Sequence, residues 1–307
     1  MTAADPAPLR QRAAPPDTEQ AGISLGRDAW RRLRRDPVAI VGAVLVLLFV
    51  AVAFLAPVLA PWGPTDTPGK DLVTPTNVPG PSTEHWLGLD NLGRDELSRV
   101  LHGARQSLVV GVVSLLFGAV TGSLVGLVAG SFGGRIDNLI MRLMDIMLAV
   151  PGLLFAIGLA ALLGHSLTSV MIAVGTVNVP VFARLLRGSM LTQRSADYAL
   201  AITSLGVRRR TLILRHVLPN SLSPVIVQGT LTLATAIIDA AGLAFLGLSG
   251  TDPGVPEWGR MLAETQRYLS SAPHLAIFPG VAIVLAALGF TLLGESLREA
   301  LDPTYRR

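Results

Sequence analysis

Residues 197–220 read DYALAITSLGVRRRTLILRHVLPN, a run with four arginines, one central glycine and a closing Leu-Pro, set between two long apolar stretches. Ser195 is placed to cap a helix starting at Ala196, and Gly206 suits the left-handed position that ends one. A second short helix is expected from about Arg208 to Val217. It should stop before Pro219, whose ring cannot continue it and pushes Leu218 toward extended geometry. The expected product is a bent helix pair lying on a membrane face. Its apolar residues (Leu200, Leu205, Val207, Leu212, Leu214, Leu218) exceed what a solvated loop requires, and Arg208, Arg209 and Arg210 form a basic corner. Lipid headgroups could cover such a surface, but a simple interfacial helix needs no bend, so a soluble partner protein suits the glycine better.

The flanks define the solvent. Half of the 307 residues are hydrophobic, 15% are charged and the mean hydropathy is +0.54, the composition of a chain immersed mainly in lipid. Runs of about 20 apolar residues, enough to cross a bilayer, occur at Val38–Ala60, Ser107–Gly130, Ile136–Leu163, Ser166–Leu186, Leu222–Leu248 and Ala276–Gly294. The reading is an all-α polytopic membrane protein with about six transmembrane helices. Its parts are a tail over 1–37, disordered at first and then basic, a first helix over 38–60, an outer loop over 61–106, a five-helix core over 107–296 containing the 187–220 loop, and a short C-terminal segment over 297–307.

Basic residues orient the chain, because cytoplasmic loops retain Lys and Arg. With both termini inside, the tail, the 131–143 turn, the 184–220 loop and the C-terminus hold 7, 2, 7 and 3 basic residues, and the other face holds 6 of the 25. The quoted segment is then cytoplasmic. This asymmetry accounts for the basic balance, so a nucleic-acid partner is not required. The chain has no cysteine and its five histidines are dispersed without ligand spacing, which gives no basis for a metal site.

Within the spans, Ser114, Gly118, Gly122, Gly126 and Gly130 recur every fourth residue, leaving one helix side nearly bare. Another backbone can approach there, either inside the bundle or at an interface that moves. Gln228, Thr232, Thr235, Asp239 and Gly242 share one face of the fifth span. A carboxylate within a membrane costs several kcal/mol unless paired or wetted, so Asp239, and Asp145 on the third span with Ala149, Gly152 and Ala156, are candidates to line a water-filled path.

The segment ARLLRGSML (183–191), then Tyr198, then the spacing from Leu205-Gly206 to RHVLPN, resembles the cytoplasmic loop of ATP-binding-cassette importer permeases. The stretches RRDPVAIVGAVLVL (34–47), APVLAPWGPT (56–65), HWLGLDNLGRDELSRVLHGARQSL (85–108), GLAFLGLSG (242–250), WGRML (258–262) and LREALDP (297–303) narrow the likeness to C-type subunits of dipeptide, oligopeptide and nickel importers. The resemblance implies a permease of the bacterial cytoplasmic membrane that docks through Tyr198, Ala201, Leu205, Gly206, Val207, Arg208, Leu218 and Pro219 onto a separate ATPase. That ATPase would bind ATP and Mg. Further implied partners are a second, B-type permease, one or two ATPase subunits, an extracytoplasmic substrate-binding protein and the bilayer.

Two departures stand out. The family's Glu-Ala-Ala triplet is replaced by Leu200, Ala201 and Ile202, removing an acidic contact to the ATPase. Where the family tends to hold an acid, at Ala240, this chain has Asp239 one residue earlier, a rotation of about 100° on a helix. The single lysine, Lys70 in PGKDL, lies in no phosphate-binding loop, so the chain does not hydrolyse ATP by itself. A rival reading takes Gly247-Leu248-Ser249-Gly250 as the nucleophile turn of a six-span serine protease with Ser249 attacking. That chemistry needs a histidine base from a neighbouring span; the sixth span has none, and His274 precedes it.

Overall fold

A computed structural model of the chain describes residues 30–74, 77–250, 252 and 254–301, which are mainly helical and carry two isolated β-bridges. The expected disorder before residue 25 lies outside the described residues, as do the last six positions. Helix α1 (Pro37–Leu59) starts where the Asp36 carboxylate accepts from the Val38 N–H at 2.9 Å and Pro37 takes the first helical position. Helix α2 (Glu96–Phe132) is capped by Asp95, which accepts from the Ser98 N–H at 2.8 Å. It follows the loop after α1 and begins well before the expected Ser107. At 1.5 Å per residue its 37 residues span roughly 55 Å, against a hydrocarbon core of about 30 Å. Its first turns therefore project beyond lipid, where protein rather than water surrounds Glu96 and Arg99.

The third expected span is not one straight helix. Helix α3 (Gly134–Ala149) and helix α4 (Gly152–Leu163) meet at a 93° bend. Pro151 causes it, since proline excludes a helical predecessor and Val150 is extended at φ −87°, ψ 131°. Among the described residues, five helices are long and apolar enough to cross a membrane, or six with the bent pair counted as one span. Next come α5 (Leu167–Arg194), the short α6 (Asp197–Ser204), α7 (Arg209–Leu212) and α8 (Leu218–Ser221), then α9 (Ser223–Phe245), α10 (Trp258–Thr265) and α11 (His274–Leu301).

The glycine strip of α2 lies against α5, inside the bundle. A β-carbon at Gly118, Gly122 or Gly126 would come within 2.6, 2.4 and 2.4 Å of the carbonyl oxygens of Gly175, Val179 and Ala183. Both rows advance by four residues, so the two backbones touch in register over two turns. Gly122→Leu is expected to prevent accumulation of folded protein. Overpacking costs about 1–3 kcal/mol where side chains can shift, and a backbone carbonyl cannot. Gly158→Leu, where an added β-carbon meets nothing within 4 Å, should leave a monodisperse gel-filtration peak; equal behaviour of the two variants would remove the close-approach role.

A second core lies where α1, α10 and α11 converge. The Phe49 ring sits 5.3 Å from Trp258 and 6.0 Å, edge-on, from Phe290. The Trp258 indole N–H donates to the Val100 carbonyl at 2.9 Å, tying α10 to α2. Helix α10 is thus a fixed lid over one end of the bundle.

Candidate functional site

At the opposite end of the bundle, α5 leaves the core and turns back through α6. Ser195 does not cap α6: its hydroxyl donates to the Leu191 and Thr192 carbonyls and closes α5, while Ala196 precedes α6 without a side-chain cap. A hydroxyl that follows a long helix competes for that helix's unpaired carbonyls, and here this local partner prevails. Gly206 is left-handed at φ +75°, and its N–H donates to Thr203 O at 3.0 Å. Leu205 beside it is 82% exposed, and Leu200, Ala201 and Arg208 also face outward.

The second arm differs from expectation. Rather than stopping before Pro219, the chain continues from α7 through a π-helical turn, Ile213–Val217, into α8, and Leu218 is helical at φ −58°, ψ −49°. Proline lacks an N–H and its ring crowds the carbonyl four residues back; the wider turn makes room for the ring at the second position of α8. Ile213 and Val217 are buried with Phe182, Leu186, Met190 and Val225, and Leu218 packs on the same cluster. The arm is therefore bolted to both α5 and α9. The Tyr198 hydroxyl donates to Gln193 Oε1 at 2.9 Å, which anchors α6 to α5. Of the predicted docking set, Leu205, Gly206, Ala201 and Arg208 are exposed; Val207, Tyr198 and Leu218 are half-buried, and Pro219 is exposed at the base.

The membrane carboxylates divide. Asp145 forms an ion pair with Arg184, and the face expected to continue through Ala149, Gly152 and Ala156 is interrupted by the Pro151 bend. Nearby, Arg187 grips Asp137 with two hydrogen bonds, 3.0 and 2.6 Å. These pairs fasten α3 to α5. Asp239 makes no ion pair among the described residues and is half-buried on α9. Thr232 is buried, so it does not line an open path in this conformation; Gln228 donates to its hydroxyl at 3.3 Å, while Thr235 is exposed.

The lidded end holds a feature missed in the sequence. Asp90 accepts from Arg94 Nε at 2.5 Å and from Arg99, and Glu264 on α10 accepts from Arg94 at 3.1 Å, Arg99 at 3.0 Å and Arg260 at 3.1 Å. Asp90, Arg94 and Arg99 are buried. Sequence reading counted these arginines as loop charges; the usable signal was the carboxylate-rich setting of three of the six basic residues on that face. Beside the network, a cavity of about 300 Å³ is lined by His165, Ser249, Glu257 and Arg260. Trp258 opens α10 directly after the Glu257 cap, and Pro253 lies outside the described residues.

Burial pushes the Glu257 carboxyl up to about 7, although it accepts from the Gly259 and Arg260 N–H groups at 3.2 and 3.3 Å. The folded state then holds a proton that the unfolded chain releases above about 4.5. Stability should fall as pH rises from 4.5 toward 7, by about 3 kcal/mol in all. Glu257→Gln should flatten that slope in thermal melts of the detergent-solubilised protein; an unchanged slope would assign it to other groups.

The Ser249 hydroxyl is buried without a hydrogen-bond partner. It shares the cavity with His165, but no hydrogen bond joins them, and the serine-protease reading gains no support.

Comparison with known proteins agrees with this architecture. The family described as binding-protein-dependent transport system inner membrane component matches residues 122–307, and the N-terminal TM domain of oligopeptide transport permease C matches residues 24–75. The dipeptide transport system permease protein DppC of Alkalihalophilus pseudofirmus is 42% identical over 290 residues, 94% of this chain and 93% of that one. The glutathione transport system permease protein GsiD of Pectobacterium atrosepticum is 43% identical over 277 residues, 90% of each chain. A crystal structure of an amino acid ABC transporter with histidines shares the fold, with a TM-score of 0.51 at 14% identity over 65% of this chain and 92% of that one. The chain belongs to the binding-protein-dependent transport family, as a C-type permease subunit of an ABC importer of the bacterial inner membrane that leaves ATP hydrolysis to a separate subunit.

Proposed function

We propose that this subunit forms half of the pathway of a di- or oligopeptide importer and takes its drive from a partner ATPase through residues 195–219. The observation that carries the coupling role is the bent pair itself. An exposed Leu205 beside a left-handed Gly206 sits at the tip of two arms whose bases are locked into α5 and α9. A push on the tip reaches two membrane helices without passing through a flexible joint. ATP and Mg belong to the partner ATPase subunits. A B-type permease would complete the pathway, and an extracytoplasmic binding protein would deliver cargo to the outer loop and the 249–275 segment. The relatives named for dipeptide and glutathione transport support a peptide cargo. The basic residues near α6 and α7 support a cytoplasmic position for this end and for both termini.

Asp239, with Thr235 exposed beside it, is the position for contact with passing cargo. Mild-detergent purification of the tagged chain is expected to recover a second permease and an ATPase activity, and Asp239→Asn is expected to change the range of peptides taken up. A chain that purifies alone would remove the complex. An unaltered uptake profile in the variant would return Asp239 to packing.

A further inference from the structure

A groove of about 350 Å³ runs between the last turns of α2 and the second arm of the bent pair. Its walls are apolar: Leu127, Val128 and Phe132 from α2, Ile213 and Leu214 from the arm. Its rim carries Arg209 and Arg210, and no acidic side chain lines it. Arg209 donates to the carbonyls of Ser131 and Phe132, the unpaired end of α2. Arg210 is exposed and makes no ion pair among the described residues.

We propose that this groove binds one anionic phospholipid, its phosphate held by Arg210 and Arg209 and an acyl chain laid along α2. Three observations select a lipid. First, the groove opens onto an exposed apolar stripe, Leu116, Val120, Leu124 and Val128, that repeats every fourth residue along a membrane helix, so a chain can enter from the bilayer. Second, the guanidiniums stand where the apolar run of α2 ends at Phe132 and the chain turns polar. Third, two guanidiniums with no carboxylate in the lining set up a positive site that favours a headgroup of net negative charge over a zwitterionic one, whose phosphate is offset by its own ammonium. The bound lipid would bridge the end of α2 and the arm that follows Gly206, and so stiffen the joint between membrane and bent pair. This inference does not depend on the cargo, and it rests on the proposed coupling segment only in that the groove uses the side of the second arm facing α2 rather than the tip at Leu205.

The test uses the full-length chain in its purified complex, reconstituted in vesicles of phosphatidylcholine with a minority of phosphatidylglycerol, extracted and washed in mild detergent. Retained lipids are counted by mass spectrometry. The wild-type protein should enrich phosphatidylglycerol over phosphatidylcholine. Arg210→Gln should lower that enrichment about fivefold, the scale of one basic residue at an anionic surface. Leu214→Trp, which fills the groove and keeps both charges, should lower it as well. Arg215→Gln, an exposed arginine outside the groove, should leave it unchanged. Arg209 is not substituted, because it also closes α2. An equal loss in the Arg215 variant would reduce the effect to a diffuse surface field and overturn the site. So would full retention in the Arg210 or Leu214 variant, or a photo-crosslinker at Leu214 that captures a protein chain rather than lipid.

Discussion

Replacing Gly206 with valine is expected to abolish ATP-driven uptake while leaving the permease inserted and folded. Gly206 sits at φ +75°, a region that costs an ordinary side chain about 1–2 kcal/mol and makes a β-branched one a clear outlier. An added β-carbon would meet nothing within 4 Å, so the penalty lies in the backbone alone and cannot be relieved by repacking. The chain would relax by opening the angle between α6 and the second arm, which moves Leu205 away from its exposed place at the tip. Because α6 and the arm are held to the core separately, by Tyr198 on Gln193 and by Val217 in its cluster, the bundle itself should survive. Gly206→Asn provides the contrast, since asparagine enters the left-handed region most readily after glycine; it should keep most of the uptake. Transport in membranes matched for permease content checks both. Valine and asparagine variants with equal, undiminished uptake would detach the bend from coupling.

The bend at Gly206 was legible because glycine's conformational freedom is a property of one residue, and so were the span count and the α2 glycine strip, which follow from period and composition. What was not legible depended on competition between neighbours. Ser195 could cap the helix after it or close the one before it, and its hydrogen bonds to the Leu191 and Thr192 carbonyls close the one before. Pro219 reads as a stop, yet a π turn at Ile213–Val217 absorbs the ring because Val217 and Ile213 gain a buried cluster from α5 and α9. Asp145 reads as a lone membrane charge, whereas Arg184, 39 positions later, pairs with it; one strand of sequence carries no sign of that meeting. The same applies to the arginines near α10. Arg94, Arg99 and Arg260 read as three separate loop charges, but inside the fold they share Asp90 and Glu264.

That outer network yields the other large effect. Asp90→Asn is expected to destabilise the subunit by roughly 3–5 kcal/mol, the range for removing one partner of a buried ion pair. The side-chain shape is kept, and the asparagine carbonyl can still accept the Leu92 and Arg94 N–H groups that Asp90 Oδ1 now accepts at 2.8 Å. What disappears is the charge facing Arg94 and Arg99, both about 3% exposed, which are left sharing Glu264. Two guanidiniums cannot escape to water there: Arg94 lies in the turn that leads into α2, and Arg99 is fixed on its first turn beside the buried Glu96. The strain should appear as separation of the outer loop from α10, because Asp90 is on the loop and Glu264 is on the helix. Limited proteolysis of the loop together with the melting temperature in detergent distinguishes this local opening from general unfolding, and Glu84→Gln, an exposed carboxylate on the same loop, is the control. A variant that melts and resists protease like the control would mean that Glu264 alone balances the arginines. Early cleavage of the loop with the membrane helices intact would identify the network as the clasp that holds the loop against α10.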